Sequence, residues 1–246
     1  MLSIVIPVHN EETILPQLVE GIVNGLAESP HDFELILSEN GSIDQTLSLA
    51  RELAQQHPQL VVLTNPEAGY GKAIKAGILQ SKGDYVVIFN ADLWDLNFLH
   101  TAVKLLAQYD IVIASKRHQE SLDQRPLNRR LITLTFNLLL HVMFGFKGSD
   151  THGMKAFRRV PLVPVVRACI TNREIFDTEV ILRAQRAGLT TVEVPTVVEE
   201  TRPSRYSPFV RIPRTLKDLG RLYRDLNWSS HATSSALDTT PDKIQP

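Results

Sequence analysis

Four short segments hold most of the side chains that could do chemistry. They are Pro7-Val8-His9-Asn10-Glu11-Glu12, Glu39-Asn40-Gly41-Ser42-Ile43-Asp44, Asn65-Pro66-Glu67-Ala68-Gly69-Tyr70-Gly71-Lys72 and Asn90-Ala91-Asp92. Any one of them alone reads as structure. Asn10 and Ser42 could cap helices, Gly41 could answer a need for positive φ, and Lys72 could be a solvated helix start. A second set is basic: Arg117, Arg129, Arg130, Arg202 and Arg205. A guanidinium is a planar fork that binds phosphate through two parallel hydrogen bonds, so these residues suit an anionic ligand. Singly, each could equally be a surface solubiliser. Asp177 opens the run Asp177-Thr178-Glu179. It is a candidate general base, or an ordinary first-turn carboxylate favoured by the helix dipole.

The elements that would position these residues alternate regularly. Apolar runs at 2–8, 33–38, 60–64, 85–89 and 111–114 read as strands. Between them, helical spacing recurs from about 14 to 26, 44 to 56, 70 to 81 and 97 to 108. Such alternation predicts an α/β fold with a mainly parallel sheet and helices on both faces. Ligands of such sheets bind beyond the carboxyl ends of the strands, which is where the four polar segments fall. Further on, a helix is expected over 127–145, a strand over 154–157, and a helix over 177–187 stopped by Gly188. A strand follows over 191–195, with Pro195 marking an edge or an end. An amphipathic basic helix is expected over 209–228. From Ser229 the chain is Ser/Thr/Asp-rich without periodicity and reads as a disordered tail over 229–246. The expectation is thus one domain over 1–228, with a ligand-binding half at 1–115 and a second half at 116–228.

Composition removes several classes. A formal net charge of −1 leaves no global footprint for nucleic acid. Cys169 is the only cysteine, so no intrachain disulfide can form, which is compatible with a reducing compartment. Met1 leads straight into an apolar run with no basic segment or cleavage site before it, so no secretory signal is expected. The stretch 131–146 is uncharged but short and broken by Thr133, Thr135, Asn137 and His141, so it reads as a buried or interfacial helix, not a span. No Gly-x-Gly-x-x-Gly follows the first strand, and Gly71-Lys72 lacks the other parts of a P-loop.

Taken together, the motifs resemble family 2 of the GT-A glycosyltransferases, especially the dolichyl-phosphate mannose synthase branch. The residues carrying the resemblance are the opening Pro-x-x-Asn-Glu, Glu39-Asn40-Gly41-Ser42-Ile43-Asp44, Asn90-Ala91-Asp92, Ser115-Lys116-Arg117, Asp150-Thr151-His152-Gly153-Met154 and Glu193-Val194-Pro195. They cover about 2–227. The resemblance implies a GT-A (nucleotide-diphospho-sugar transferase) fold and an inverting sugar transfer from a GDP- or UDP-linked donor. Pro7, Asn10, Glu11, Glu39, Gly41, Ser42, Lys72, Asn90, Ala91 and Asp92 would bind that donor. The family's Asp-x-Asp holds a divalent metal, Mg²⁺ or Mn²⁺. Here Asp92 keeps the strong ligand, and Asn90 offers a neutral amide oxygen, which can suffice beside phosphates. Departure of the diphosphate builds charge that such a metal neutralises. Arg117, Arg130, Arg202 and Arg205 would take the acceptor phosphate, with Asp92, Arg117 and Asp177 as the catalytic set. The preferred acceptor is a polyprenyl phosphate at the cytoplasmic face of a membrane. A hydroxyl acceptor and a noncatalytic sugar-nucleotide binder are the alternatives. A membrane-protein partner or a second copy of the chain stays open.

Overall fold

The computed structural model describes residues 1–198 and 208–235. By its internal contacts the chain forms two compact units, Met1–Pro203 and Ser204–Pro246.

In the first unit, strands and helices alternate as β1 (Leu2–Val8), α1 (Leu15–Gly25), β2 (Phe33–Asn40), α2 (Thr46–Gln56), β3 (Leu60–Asn65), α3 (Tyr70–Gln80), β4 (Tyr85–Ile88), α4 (Leu96–Leu105) and β5 (Ile111–Ser115). After β5 come a two-residue strand β6 (Leu122–Asp123), α5 (Leu127–Phe144), β7 (Lys155–Arg158), α6 (Arg159–Ala168), α7 (Phe176–Arg186), β8 (Thr191–Pro195) and β9 (Val197–Val198). Seven strands form one sheet in the order β3-β2-β1-β4-β7-β5-β8. All neighbours in it are parallel except β7, which runs antiparallel to both β4 and β5. The expected sheet is therefore present, with one reversed strand inserted near its middle. Pro195 lies on an edge strand, where its missing N–H is tolerated.

Alternate residues of each strand face opposite layers. Ile4, Ile6, Leu35, Leu37 and Val87 join a fully buried cluster with Leu15, Val19 and Ile22 of α1, Ala50 of α2 and Phe98, Leu99 and Ala102 of α4. On the other face α3 packs on β1 and β2, and α6 and α7 pack alongside it. The approach of α3 is close: a Cβ on Gly77 would lie 2.3 Å from Val5 Cγ1. Helices thus cover both faces. One helix was not expected: α6 contains Pro164 in its interior, where proline ordinarily breaks a helix, and Pro161 in its first turn, where the missing N–H costs no helical bond.

The second unit contains α8 (Pro208–Ser235). The helix runs past Trp228, so the expected tail from Ser229 is helical as far as Ser235. Residues 236–246 lie outside the described residues.

Candidate active site at the carboxyl edge of the sheet

The β1–β4 ladder stops at Val5, paired with Ile88, although β1 itself continues to Val8 beside β2. Val5 accepts from Phe89 N–H on the β4 side. Pro7, two residues on, turns its nitrogen to that same side, where no ladder bond is missed. The β1–β4 pairing ends here, and the polar segments follow at the carboxyl edge of the sheet.

Those segments are tied into one structure. Asn10 adopts φ 54°, its N–H donates to Ser42 Oγ at 3.0 Å, and its Oδ1 accepts from Ile43 N–H at 2.9 Å. Asn40 donates from Nδ2 to Val8 O at 2.9 Å and accepts at Oδ1 from Gly69 N–H at 3.0 Å. Glu39, buried, accepts from Ser42 N–H at 2.6 Å through one oxygen. Glu11 N–H donates to Thr46 Oγ1 at 2.7 Å. Neither Asn10 nor Ser42 is a helix cap, since Ile14 and Gln45 occupy those positions. They cross-brace the loops after β1 and β2. Gly41 has φ 65°, and a Cβ there would meet Ala68 N at 2.8 Å, so glycine is required on both counts. Lys72 pairs with Glu67 at the exposed rim of the third loop.

After β4, Asn90 N–H donates to Leu93 O at 3.1 Å and Leu93 N–H returns to Asn90 O at 3.2 Å. This tight turn puts Ala91 and Asp92 at its tip, with Asp92 exposed. Asp95 caps α4 by accepting from Asn97 N–H at 2.7 Å. Beside the turn stands Tyr70, the first residue of α3. Its hydroxyl lies 2.8 Å from Asp177 Oδ2 and 3.4 Å from Asn90 Oδ1. Burial, and then the nearby charge of Asp177, push the Tyr70 hydroxyl well above its ordinary range. The α3 start reaches α7 closely, because a Cβ on Gly71 would sit 2.6 Å from Phe176 Cβ.

Asp177 is buried on the first turn of α7. Its Oδ1 lies 3.2 Å from Lys155 Nζ, which also donates to Gly153 O at 2.8 Å. Both of its oxygens therefore have protein partners. The adjoining Glu179 has no exposed surface and binds the 170–171 backbone, accepting from Ile170 N–H at 2.8 Å and Thr171 N–H at 2.7 Å. His152, whose pKa burial lowers to about 4, is neutral at pH 7.

A cavity of about 320 Å³ opens beyond β5, lined by Lys116, Arg117, Arg125, Arg130 and Thr133 among others. Its one carboxylate, Asp123, is gripped bidentately by Arg125, with contacts of 2.8 Å to each oxygen. The Arg125 hydrogen bond holds the Asp123 carboxyl below the usual range. Lys116 is 3.4 Å from Asp150. The expected Arg117 and Arg130 thus meet in one basic cavity, whereas Arg202 and Arg205 lie outside the described residues. Sequence reading missed Arg125, Tyr70 and Lys155. Lys155 carried a readable signal, a lone charge inside an apolar strand run, which demands a buried partner.

Among the described residues, no set of three or more His, Cys, Asp or Glu side chains is arranged to hold a metal. Asp92 and Asn90 alone supply hard oxygens at the turn. That set fits Mg²⁺ or Mn²⁺, which bind through one or two carboxylates together with ligand phosphates and water.

The profile described as "Glycosyl transferase family 2" matches residues 3–164. A dolichyl-phosphate beta-glucosyltransferase of Trichomonas vaginalis is 29% identical over 209 residues, covering 79% of this chain and 64% of that protein. An undecaprenyl-phosphate 4-deoxy-4-formamido-L-arabinose transferase of Pseudomonas fluorescens is 31% identical over 224 residues, covering 88% of this chain and 63% of that protein. The chain thus spans a little under two thirds of the length of these relatives. Among solved structures, glucosyl-3-phosphoglycerate synthase of Mycobacterium tuberculosis, in complex with Mn²⁺, UDP and glucosyl-3-phosphoglycerate, has a TM-score of 0.61 at 22% identity. The match covers 91% of this chain and 76% of that one. A mannosyltransferase of Pyrobaculum calidifontis in complex with GDP-Man and Mn²⁺ has a TM-score of 0.54 at 23% identity, covering 87% and 60%. The GT-A expectation for the fold agrees with these neighbours, and the chain belongs to glycosyl transferase family 2.

Proposed function

We propose that this chain transfers a sugar, with inversion, from a UDP- or GDP-linked donor to a polyprenyl phosphate at a membrane surface. The observation that carries the reading is the contrast between two groups. The basic cavity with Arg117, Arg125 and Arg130 suits a phosphate. The candidate base, Asp177, is held by Lys155 and Tyr70. A phosphate acceptor is already ionised near neutral pH and needs no base, whereas a hydroxyl acceptor does. Both relatives above are named for polyprenyl-phosphate acceptors.

In this reading the braced loops of Pro7, Asn10, Glu11, Glu39, Gly41 and Ser42 hold the nucleotide end of the donor. Asp92 and Asn90 would hold a divalent cation, which neutralises charge developing on the departing diphosphate. Ala91 lets the turn approach the donor, and Lys72 stands at its rim. Arg117 and Arg130 orient the acceptor phosphate. An acceptor oxygen then attacks the anomeric carbon from the side opposite the leaving group, which inverts the configuration.

The membrane contact is assigned to α5. No helix among the described residues is long and apolar enough to cross a membrane. Yet α5 turns Asn137, Leu140 and Phe144 inward while Leu127, Leu131, Leu134, Leu138 and Val142 form an exposed stripe along its length. Leu127 and Val142 are each 77% exposed. Arg130 and Thr133 of the same helix line the basic cavity. An apolar stripe flanked by cations suits the interface of an anionic bilayer. A membrane-protein partner or a second copy of the chain would be the alternative occupant.

The testing experiment incubates the chain with UDP- and GDP-sugars, Mn²⁺ and undecaprenyl phosphate, and analyses the lipid fraction. The expected product is a glycosyl phospholipid of inverted anomeric configuration, lost in Arg117→Ala. Donor binding without transfer to any lipid phosphate would overturn the reading in favour of a sugar-nucleotide binder.

A further inference from the structure

Position 90 holds an amide where the family resemblance leads one to expect a carboxylate, and the hydrogen bonding around it accounts for how an amide can serve there. The Tyr70 hydroxyl faces two oxygens, Asp177 Oδ2 at 2.8 Å and Asn90 Oδ1 at 3.4 Å. A phenol has one proton to donate. The shorter contact, to an ionised carboxylate, takes it. Asp177 is itself fixed by Lys155 at 3.2 Å, so this acceptor does not swing away. The phenol oxygen then presents only lone pairs to Asn90, and an amide oxygen facing it would be repelled. Amide O and N are assigned by such networks. Rotating the amide by half a turn makes Nδ2 a donor to Tyr70 and turns Oδ1 away from the phenol. The backbone of Asn90 is pinned by its two bonds to Leu93, so the side-chain torsions are the freedom that remains. An aspartate at this position would instead set another negative oxygen near Asp177 and Asp92, against a phenol whose proton is already taken.

We propose that Tyr70 is a positioning residue of the donor site: with its proton given to Asp177, it accepts a hydrogen bond from the Asn90 amide and leaves the Asn90 carbonyl oxygen oriented for the cation that accompanies the donor diphosphate. The inference rests on the donor-site reading above. It links the acceptor-side helix α7 to the metal turn through one hydroxyl, and it assigns Tyr70 no contact with substrate.

The test is a double-mutant cycle over Tyr70→Phe and Asn90→Ala, read by Mn²⁺ binding in electron paramagnetic resonance with UDP or GDP present. Nucleotide affinity in EDTA is measured in parallel. Tyr70→Phe is expected to weaken Mn²⁺ binding about five-fold, the effect of one neutral hydrogen bond, and Asn90→Ala, which also removes the ligand oxygen, by more than that. The double variant is expected to be no weaker than Asn90→Ala, because Tyr70 acts only through Asn90. Metal-free nucleotide affinity should stay unchanged in Tyr70→Phe, which a general loosening of the site would not allow. Wild-type Mn²⁺ affinity in Tyr70→Phe beside a loss in Asn90→Ala would overturn the inference, as would additive losses. Failure of the unmodified chain to bind Mn²⁺ with either nucleotide would instead overturn the donor-site reading beneath it.

Discussion

Replacing Lys155 by methionine tests the polar centre of the fold. Lys155 and Asp177 have side chains only 2% and 4% exposed, and their charges lie 3.2 Å apart. Methionine fills nearly the same volume, so packing changes little and the loss is electrostatic. Asp177 would keep only the Tyr70 hydroxyl, leaving a buried carboxylate without its cation. Breaking a buried pair from one side costs about 3–5 kcal/mol. For a chain of this size each kcal/mol moves Tm by roughly 2–4 °C, so the variant should melt about 6–20 °C lower. The assay is thermal unfolding followed by circular dichroism at pH 7. Adding Asp177→Leu and Tyr70→Phe removes the whole polar set and should recover most of the loss, since an apolar replacement of a buried pair is often neutral. A Lys155→Met melt within about 2 °C of the parent would refute the reasoning, because the pair would then contribute less than one kcal/mol.

Three other outcomes follow from the site. His152 has a folded pKa of about 4, below its unfolded value, because burial disfavours its charged form; Asp177 and Asp150 oppose this, and Lys116 and Lys155 add to it. The unfolded chain therefore binds the proton more readily, and stability present above about pH 6.5 is lost as pH falls toward 4. His152→Gln should flatten the Tm profile in that window, and an unchanged slope would show that another group sets it. In flotation assays the chain should bind anionic vesicles at low salt and release in high salt, and Leu131→Asp with Leu138→Asp should abolish binding. Equal flotation of the double variant would remove α5 as the membrane face. Asp92→Ala should abolish Mn²⁺-dependent donor binding, and unchanged affinity by calorimetry would place the metal elsewhere.

The carboxyl edge was legible because its polar residues interrupt apolar runs at the strand ends, where α/β sheets bind ligands. Even there the roles were only partly readable. Asn10, Ser42 and Asn40 show as polar loop residues in one dimension, but their cross-bracing depends on the pairing of β1 with β2. The reversal of β7 was not legible, since Lys155–Arg158 is short and no hairpin turn precedes it. The helix α6 was hidden by Pro161 and Pro164, whose local signal its packing against α3 and α7 overrides. Asp177 was found by position, but its pairing with Lys155 and Tyr70 joins residues distant in sequence, which no local spacing encodes. Arg125 escaped notice because it comes together with Arg117 and Arg130 only through the β6–α5 connection.

The central claim is that the acceptor group is a phosphate and that no protein base is needed. The most direct measurement offers the chain the same polyprenyl lipid ended either by phosphate or by hydroxyl, with a matched sugar nucleotide and Mn²⁺. The account predicts transfer to the polyprenyl phosphate and none above background to the polyprenol, whose hydroxyl proton would need a base that Asp177, held by Lys155 and Tyr70, does not provide. Comparable turnover with the free polyprenol would contradict it.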